Sequence, residues 1–182
     1  MGEVRKIEQV AVVGAGFMGS GIAEAVAVAG LPVVLRDVDE ASIQVELVVA
    51  LDTSDETVTA GRAFVERIGK LPIETKDRSG FIVNMLLVPY LMAAVRMYED
   101  GFATREDIDA GMKLGCGHPM GPLVLCDFIG LDVLYAVCNS LYEEFKRDEY
   151  APPPLLKRMV ASGRLGRKSG RGFYEYPAGA HL

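Results

Sequence analysis

The glycines at positions 14, 16 and 19 have the spacing of a phosphate-binding turn. They stand in VAVVGAGFMGSGIA, after an apolar stretch that predicts a buried strand and before small residues that predict a helix. Gly14 permits a tight turn, Gly16 lets the backbone approach a pyrophosphate, and Gly19 lets helix and strand pack closely. N–H groups at the helix start would face the phosphates. The turn therefore predicts a dinucleotide site that includes Phe17 and Met18.

Asp37 supports this interpretation because it stands at the end of the next predicted strand, 18 residues past Gly19 (37 − 19). A carboxylate at this place accepts a hydrogen bond from a ribose 2′-hydroxyl and repels a 2′-phosphate. Asp37 therefore favours NAD over NADP, although the neighbouring Arg36 would suit the 2′-phosphate of NADP. A glycine turn that serves packing alone is the less favoured alternative.

Few residues in the chain could act as a general base. The two histidines are His118, in the loop GHPMGP, and His181, next to the C-terminus. We interpret His118 as a surface or interface residue rather than a substitute base. The spacing of the histidines favours neither a Ser–His–Asp arrangement nor a metal site. The three cysteines form no CxxC pair and are predicted to be reduced core thiols of a cytosolic protein: Cys116, Cys126 and Cys138.

The elements around these residues change in character at Gly80. Before it the pattern is α/β, with a remnant sheet of three or four strands. Strands are predicted over 8–13, 31–38, 45–52 and 71–77, and helices over 20–30 and 54–70, the second capped by Thr53 or Ser54. This boundary predicts two domains, residues 1–78 and 79–182.

After Gly80 the pattern is all-helical. The apolar positions of the helix over 81–101 run nearly all round it, so it should be central. Thr104 and Asp107 resemble a capping box for a helix over 105–114. One long helix or two short ones occupy 123–145, and an amphipathic helix spans 155–166.

Composition excludes two classes of partner. The net charge of −6 and pI near 5.0 argue against nucleic-acid binding, which needs a basic face. The longest apolar run, residues 80–95, contains Asn84 and Pro89 and is short for a membrane span. We expect a protein without a membrane segment that resides in the cytoplasm.

Two blocks of sequence resemble the 3-hydroxyacyl-CoA dehydrogenase family, including its short-chain 3-hydroxybutyryl-CoA members. The first is GAGFMGSGIA with LRDVD. The second contains TSDET, KDRSGFIVNMLLVPYLMAA, TREDIDAGMKLGCGHPMGP and GRKSGRGFYEY. The resemblance implies a truncated Rossmann-type domain followed by a helical domain that forms a homodimer through the helices of 81–145. It also implies oxidation of the 3-hydroxyl of an acyl-CoA, with hydride passing to NAD.

The resemblance assigns roles to two residues. Glu46, in VELVV, matches the glutamate that orients the family's catalytic histidine, and Asn84, in FIVNM, matches an asparagine that positions substrate oxygens. Alternatively, Glu46 is a solvated acid at a strand edge, and Asn84 makes a structural hydrogen bond to backbone.

The chain also departs from the family pattern. The family's histidine lies in an HFFNP-like segment just ahead of the glutamate, and here SIQ (42–44) stands before Val45. The serine segment and the lysine-bearing helical region expected to meet the CoA phosphates are absent too, and Ser79 stands where members usually have proline. The middle of the nucleotide-binding domain is thus missing from this sequence.

Three interpretations follow. The protein is a 3-hydroxyacyl-CoA dehydrogenase, a catalytically inactive nucleotide-binding module, or a structural dimer in which residues 80–176 matter. The resemblance favours the first by lineage. Loss of a general base alone costs about 10²–10⁴ in rate, which favours the second and third for this chain as written. The basic tail residues Arg164, Arg167, Lys168 and Arg171 meet CoA phosphates or, as we prefer, close the fold, with Phe173 and Tyr174 packed on the helices.

Overall fold

The computed structural model describes residues 10–13, 33–36 and 44–177. The chain divides into two compact units, Met1–Asp77 and Arg78–Leu182. The first unit is α/β and the second is helical, as the change of pattern at Gly80 predicts.

The first unit contains two pairs of parallel strands in its described residues. Strands β1 (Val10–Val13) and β2 (Val33–Arg36) pair with each other, and β3 (Gln44–Val49) pairs with β4 (Leu71–Lys76). The prediction of one sheet of three or four strands is therefore wrong for the described residues, which form two separate two-stranded sheets. Each strand pairs with its nearest neighbour along the chain, as expected when a crossover joins consecutive parallel strands.

Helix α1 (Asp55–Arg67) forms the crossover between β3 and β4. Its N-cap is Ser54, whose hydroxyl accepts a hydrogen bond from the Thr57 N–H at 3.3 Å. The sequence left Thr53 and Ser54 as alternatives, and the structure selects Ser54. Thr53 instead accepts from the Ala50 N–H, at 3.1 Å, in the preceding turn.

In its described residues, the second unit consists of five helices and a closing segment, residues 166–176 (GRKSGRGFYEY). The helices are α2 (Val83–Glu99), α3 (Arg105–Cys116), α4 (Pro122–Ile129), α5 (Leu131–Phe145) and α6 (Pro154–Ala161), followed by a 3₁₀ turn at Arg167–Ser169. The predicted region 123–145 is thus two helices, which separate at Gly130, whose φ is +99°. Within the described ranges, no single helix is long and apolar enough to cross a membrane; α4 and α5 are so only as a pair, and they are bent by 96°.

Helix α2 is central, as predicted. Its buried residues Val88, Leu91, Met92 and Val95 join the core that α4, α5 and α6 complete. Cys126 and Cys138 lie in this core as free thiols, which confirms their predicted place. Cys116 is exposed, so its prediction as a core thiol is wrong; it is the last residue of α3, just before Gly117 ends the helix with φ +69°.

The predicted N-cap at Thr104 is confirmed, but the Asp107 side chain does not complete the capping box through the Thr104 backbone N–H. The Thr104 hydroxyl accepts from the Asp107 N–H at 3.1 Å and lies 2.6 Å from Asp107 Oδ2. Because aspartate is shorter than the usual glutamate at this place, its carboxylate accepts from the hydroxyl itself.

Candidate functional site

The carboxyl ends of β1 and β2 lie side by side at one edge. The parallel register pairs Val13 with Arg36, the last residue of each strand. In the sequence Gly14 follows Val13 and Asp37 follows Arg36. The chain therefore leaves both strands at the edge where parallel α/β sheets bind nucleotides. Six predicted site residues lie outside the described residues: Gly14, Gly16, Phe17, Met18, Gly19 and Asp37.

Glu46 is half-buried on β3, opposite Ile73 of β4. Its neighbour Leu47 faces α1, because a Cβ added to Gly61 of that helix would lie 3.0 Å from Leu47 Cδ1. Since side chains alternate along a strand, Glu46 projects from the face opposite α1. A carboxylate on this face can orient a neighbouring group of its own unit.

Asn84 is half-buried in the first turn of α2. Its backbone N–H donates to the Gly80 carbonyl at 3.0 Å, and the Met85 N–H donates to the same oxygen at 3.2 Å. The helix starts from two residues with positive φ, Gly80 at +83° and Phe81 at +45°. The position of Asn84 therefore depends on the conformation of this short segment. Glu46 belongs to the first unit and Asn84 to the second.

His118 is half-buried and engaged with Tyr90 of α2. The Tyr90 hydroxyl lies 3.2 Å from His118 Nδ1, and the two rings meet edge to face at 5.5 Å. Burial, with the nearby Asp109 charge, raises the pKa of Tyr90. His118 was predicted to be a surface or interface residue; the structure shows it half-buried and joined to Tyr90, which fixes the loop that carries it.

Two buried aspartates in the second unit were missed by the sequence analysis. Asp109 of α3 is 5% exposed and accepts from the N–H groups of Leu123 (2.7 Å) and Val124 (3.2 Å). Pro122 and these residues begin α4, so Asp109 caps a helix other than its own. The Tyr174 hydroxyl donates to the same carboxylate at 2.8 Å.

Asp127 of α4 is 1% exposed and holds the closing segment of the chain. Its carboxylate accepts from the N–H groups of Phe173 and Tyr174, both at 2.9 Å, and from the Tyr176 hydroxyl at 3.0 Å. Burial, and after it the negative charge of Asp127, raises the pKa of Tyr176 to about 12. Asp127 could have been found from its place in the apolar stretch LCDFIG, where an acid must have partners. Asp109 stands in the charged stretch REDIDAGMK, which carries no such signal.

The glycines of GRKSGRGFYEY fit this carboxylate closely. A Cβ on Gly172 would lie 1.9 Å from Asp127 Oδ1, and one on Gly166 would lie 2.3 Å from the Asp127 carbonyl oxygen. The motif therefore encodes close packing of the closing segment on α4.

The basic residues of the closing segment are engaged within the second unit. Lys168 pairs with Asp132 at 2.5 Å, and Arg171 lies 3.7 Å from Glu175. The Arg167 guanidinium lies over the rings of Phe128 (5.2 Å) and Tyr176 (5.5 Å). Phe173 is buried in the core and Tyr174 packs against it. These contacts support packing over phosphate binding for this segment. Within the part of the chain that the structure describes, no group of His, Cys, Asp and Glu side chains could hold a metal ion.

Comparison with known proteins identifies the family. Residues 9–44 match the family described as 3-hydroxyacyl-CoA dehydrogenase, NAD binding domain, and residues 80–176 match its C-terminal domain. The second match covers more than half of the chain. The chain belongs to the 3-hydroxyacyl-CoA dehydrogenase family, and the NAD-binding match confirms NAD as the predicted cofactor.

Curated relatives agree with this assignment. The chain is 53% identical to the 3-hydroxybutyryl-CoA dehydrogenase of Mycobacterium tuberculosis over 133 residues, which are 72% of this chain and 46% of that protein. It is 45% identical over 133 residues to the human mitochondrial hydroxyacyl-coenzyme A dehydrogenase, covering 72% of this chain and 42% of the relative. The chain thus spans about half the length of the curated relatives it matches.

Solved structures confirm the predicted fold class, a truncated Rossmann-type domain followed by a helical domain. The crystal structure of M. tuberculosis FadB2 aligns with a TM-score of 0.77 and 31% identity, over 94% of this chain and 100% of that one. The (S)-3-hydroxybutyryl-CoA dehydrogenase PaaH1 from Ralstonia eutropha aligns with a TM-score of 0.74 and 31% identity, over 94% and 99%.

Proposed function

We propose that the protein is an NAD-dependent oxidoreductase that converts a short-chain 3-hydroxyacyl-CoA, of the 3-hydroxybutyryl-CoA type, to the 3-oxoacyl-CoA. The observation that carries this proposal is the match of residues 80–176 to the family's C-terminal domain. The adjoining carboxyl ends of β1 and β2 support it, because parallel α/β sheets bind dinucleotides at this edge.

The roles of the chain's residues follow from their chemistry. Gly14, Gly16 and Gly19 would lie against the pyrophosphate, with Phe17 and Met18 beside it, and Asp37 would accept from the adenosine ribose. Bound NAD supplies the hydride acceptor.

Substrate handling falls to two further residues. The Asn84 side-chain amide would donate to an oxygen of the acyl-CoA, and the Glu46 carboxylate would accept a hydrogen bond from the group that moves the hydroxyl proton.

A paired substitution tests the cofactor part of this proposal. Asp37→Ala should weaken NADH binding roughly tenfold, because one charge-assisted hydrogen bond is lost. Asp39→Ala, two residues further along, is the matched control and should leave binding within about twofold. NADH fluorescence titration measures both. Equal affinity of the Asp37→Ala variant and the wild type would contradict the assignment.

A second candidate is a catalytically inactive nucleotide-binding or dimerisation module. The distribution of histidines favours this candidate, because residues 1–117 contain none. His118 is engaged with Tyr90, whose hydroxyl lies 3.2 Å from His118 Nδ1. An intact mass of 19.7 kDa, followed by NADH oxidation with acetoacetyl-CoA, separates the candidates. NADH binding without acetoacetyl-CoA turnover would favour the inactive module.

We further propose that the protein forms a homodimer through the helices of residues 81–145. Large apolar side chains on these helices are exposed in the single chain, including Leu86 at 72% and Leu114 at 87%. Pairing of two copies would remove such surface from water.

The free thiols are typical of a reducing compartment such as the cytoplasm.

A further inference from the structure

We infer that Glu144 and the left-handed backbone of Phe81 position Asn84 by fixing the start of α2. This inference rests on the proposed function for the meaning of Asn84, but its structural content stands by itself. The contacts involved all lie within the second unit.

The start of α2 is held by one face of α5. Leu141, Glu144 and Phe145 are spaced three and four residues apart, so they lie on the same side of that helix. Each contacts a different residue of the segment before α2, Arg78–Gly80. The Arg78 guanidinium lies 5.0 Å from the centre of the Phe145 ring, and Glu144 Oε2 accepts from the Ser79 N–H at 3.3 Å.

Gly80 makes the closest of these contacts. A Cβ at this position would lie 2.7 Å from Leu141 Cδ2, and its φ of +83° is unfavourable for other residues. Leu141 is 1% exposed in the core, so it has little room to move away. The backbone at residue 80 is thereby fixed against α5, and its carbonyl accepts the Asn84 and Met85 N–H groups.

Phe81 adopts a backbone conformation that a bulky residue rarely takes. Its φ is +45°, next to the +83° of Gly80. Such a residue persists only where its surroundings determine it, and such positions concentrate at functional sites. The N-cap residue Ile82 has a hydrocarbon side chain, which cannot cap the helix. The contacts to α5 therefore set where the first turn of α2, and with it Asn84, is placed.

The Glu144 contact depends on the residue type at position 79. It requires an N–H at position 79, which serine has and proline lacks. In the structure, the Ser79 bond joins the segment to α5 one residue before the paired positive-φ residues. Glu144 is accordingly a positioning residue and not a catalytic residue.

Hydrogen exchange of the full chain tests this inference directly. Glu144→Ala should increase the exchange rate of the Asn84 and Met85 amides roughly three- to tenfold, because the first turn opens more often. Amides of Leu91 and Val95, deep in the same helix, should not change. Glu144→Gln keeps an oxygen that can accept from Ser79 and should exchange within about twofold of the wild type.

Glu143→Ala is the matched control, since Glu143 is the adjacent residue and pairs with Lys146 at 2.5 Å on the surface. Its exchange rates should equal those of the wild type. If Glu144→Ala and Glu143→Ala give the same rates at Asn84, the inference is wrong.

Kinetics supply the second measurement. Where the wild type turns over acetoacetyl-CoA, Glu144→Ala should lower kcat roughly three- to tenfold with KM within about twofold, and Glu144→Gln should restore kcat. An unchanged kcat would contradict the link from Glu144 to Asn84. Absence of turnover in the wild type would count against the proposed function alone, because the exchange measurement needs no activity.

Discussion

At the scale of single residues, the stability of the helical unit depends on the buried carboxylate of Asp127. Its carboxylate is buried and accepts three hydrogen bonds from the closing segment, at 2.9, 2.9 and 3.0 Å. A buried acid is costly unless its oxygens are satisfied, and here the partners come from a segment 46 residues or more away along the chain. The contact explains why an acid stands within LCDFIG.

Asp127→Ala should lower the free energy of unfolding of the helical unit by roughly 3–5 kcal/mol, because three donors lose their acceptor in a buried place. Tyrosine fluorescence during urea unfolding measures it, since all 7 tyrosines lie between residues 90 and 176. Asp132→Ala is the control. It breaks the exposed Lys168 pair and should cost less than about 1 kcal/mol. Equal losses in both variants would contradict the role of Asp127.

The pH dependence of stability should carry the signature of this carboxyl. Burial raises the pKa of Asp127, against the opposing hydrogen bonds from Tyr174, Phe173 and Tyr176. A raised folded-state pKa contributes stability that is present below the unfolded pKa, about 3.9, and is lost as the pH rises through the folded value.

Asp127→Asn cannot titrate, so the stability difference between wild type and this variant should shrink as the pH rises from about 4 to 7. Urea unfolding at several pH values measures the difference. A difference that grows over this range would show that hydrogen bonding lowers the pKa of Asp127 instead.

At the scale of elements, the closing segment packs on α4 through glycines. Residues 173 and 174 were predicted to pack on the helices, and they do. The sequence could not show which partner they meet, because hydrogen bonds over such separations leave no local pattern. By contrast, the caps at Ser54 and Thr104 depend on neighbours three residues away, so the local sequence predicted Thr104 and narrowed the other cap to Thr53 or Ser54.

Two glycine substitutions should have opposite effects. Gly172→Ala places a Cβ 1.9 Å from Asp127 Oδ1 and should destabilise the unit by at least about 2 kcal/mol. Gly111→Ala lies within α3, where nothing is within 4 Å of the added Cβ, and should stabilise by about 0.5–1 kcal/mol. Thermal unfolding measures both. A stable Gly172→Ala protein would show that the closing segment can separate from α4.

At the scale of the whole molecule, the change from an α/β to a helical pattern at Gly80 could be predicted because hydrophobic periodicity differs between strands and helices. The Rossmann-type fold was implied by the family resemblance and not by periodicity. The pairing of strands into two separate sheets could not, since periodicity does not specify which strands pair. The exposed position of Cys116 was missed for a similar reason: an apolar residue at a helix end carries no signal of its burial.

The proposed dimer is tested by light scattering. We expect about twice the 19.7 kDa chain mass at micromolar concentration, because the exposed apolar side chains of residues 81–145 would be covered by a second copy. A species of one chain mass under these conditions would contradict the proposal.

The central claim is the proposed NAD-dependent chemistry of this chain, and acetoacetyl-CoA reduction tests it most directly. With an intact mass of 19.7 kDa verified, NADH absorbance at 340 nm should fall faster than in a protein-free control. Because the histidine segment is absent, the rate should be about 10²–10⁴ below that of a full-length family member. NADH absorbance that falls no faster than in the control would contradict the claim.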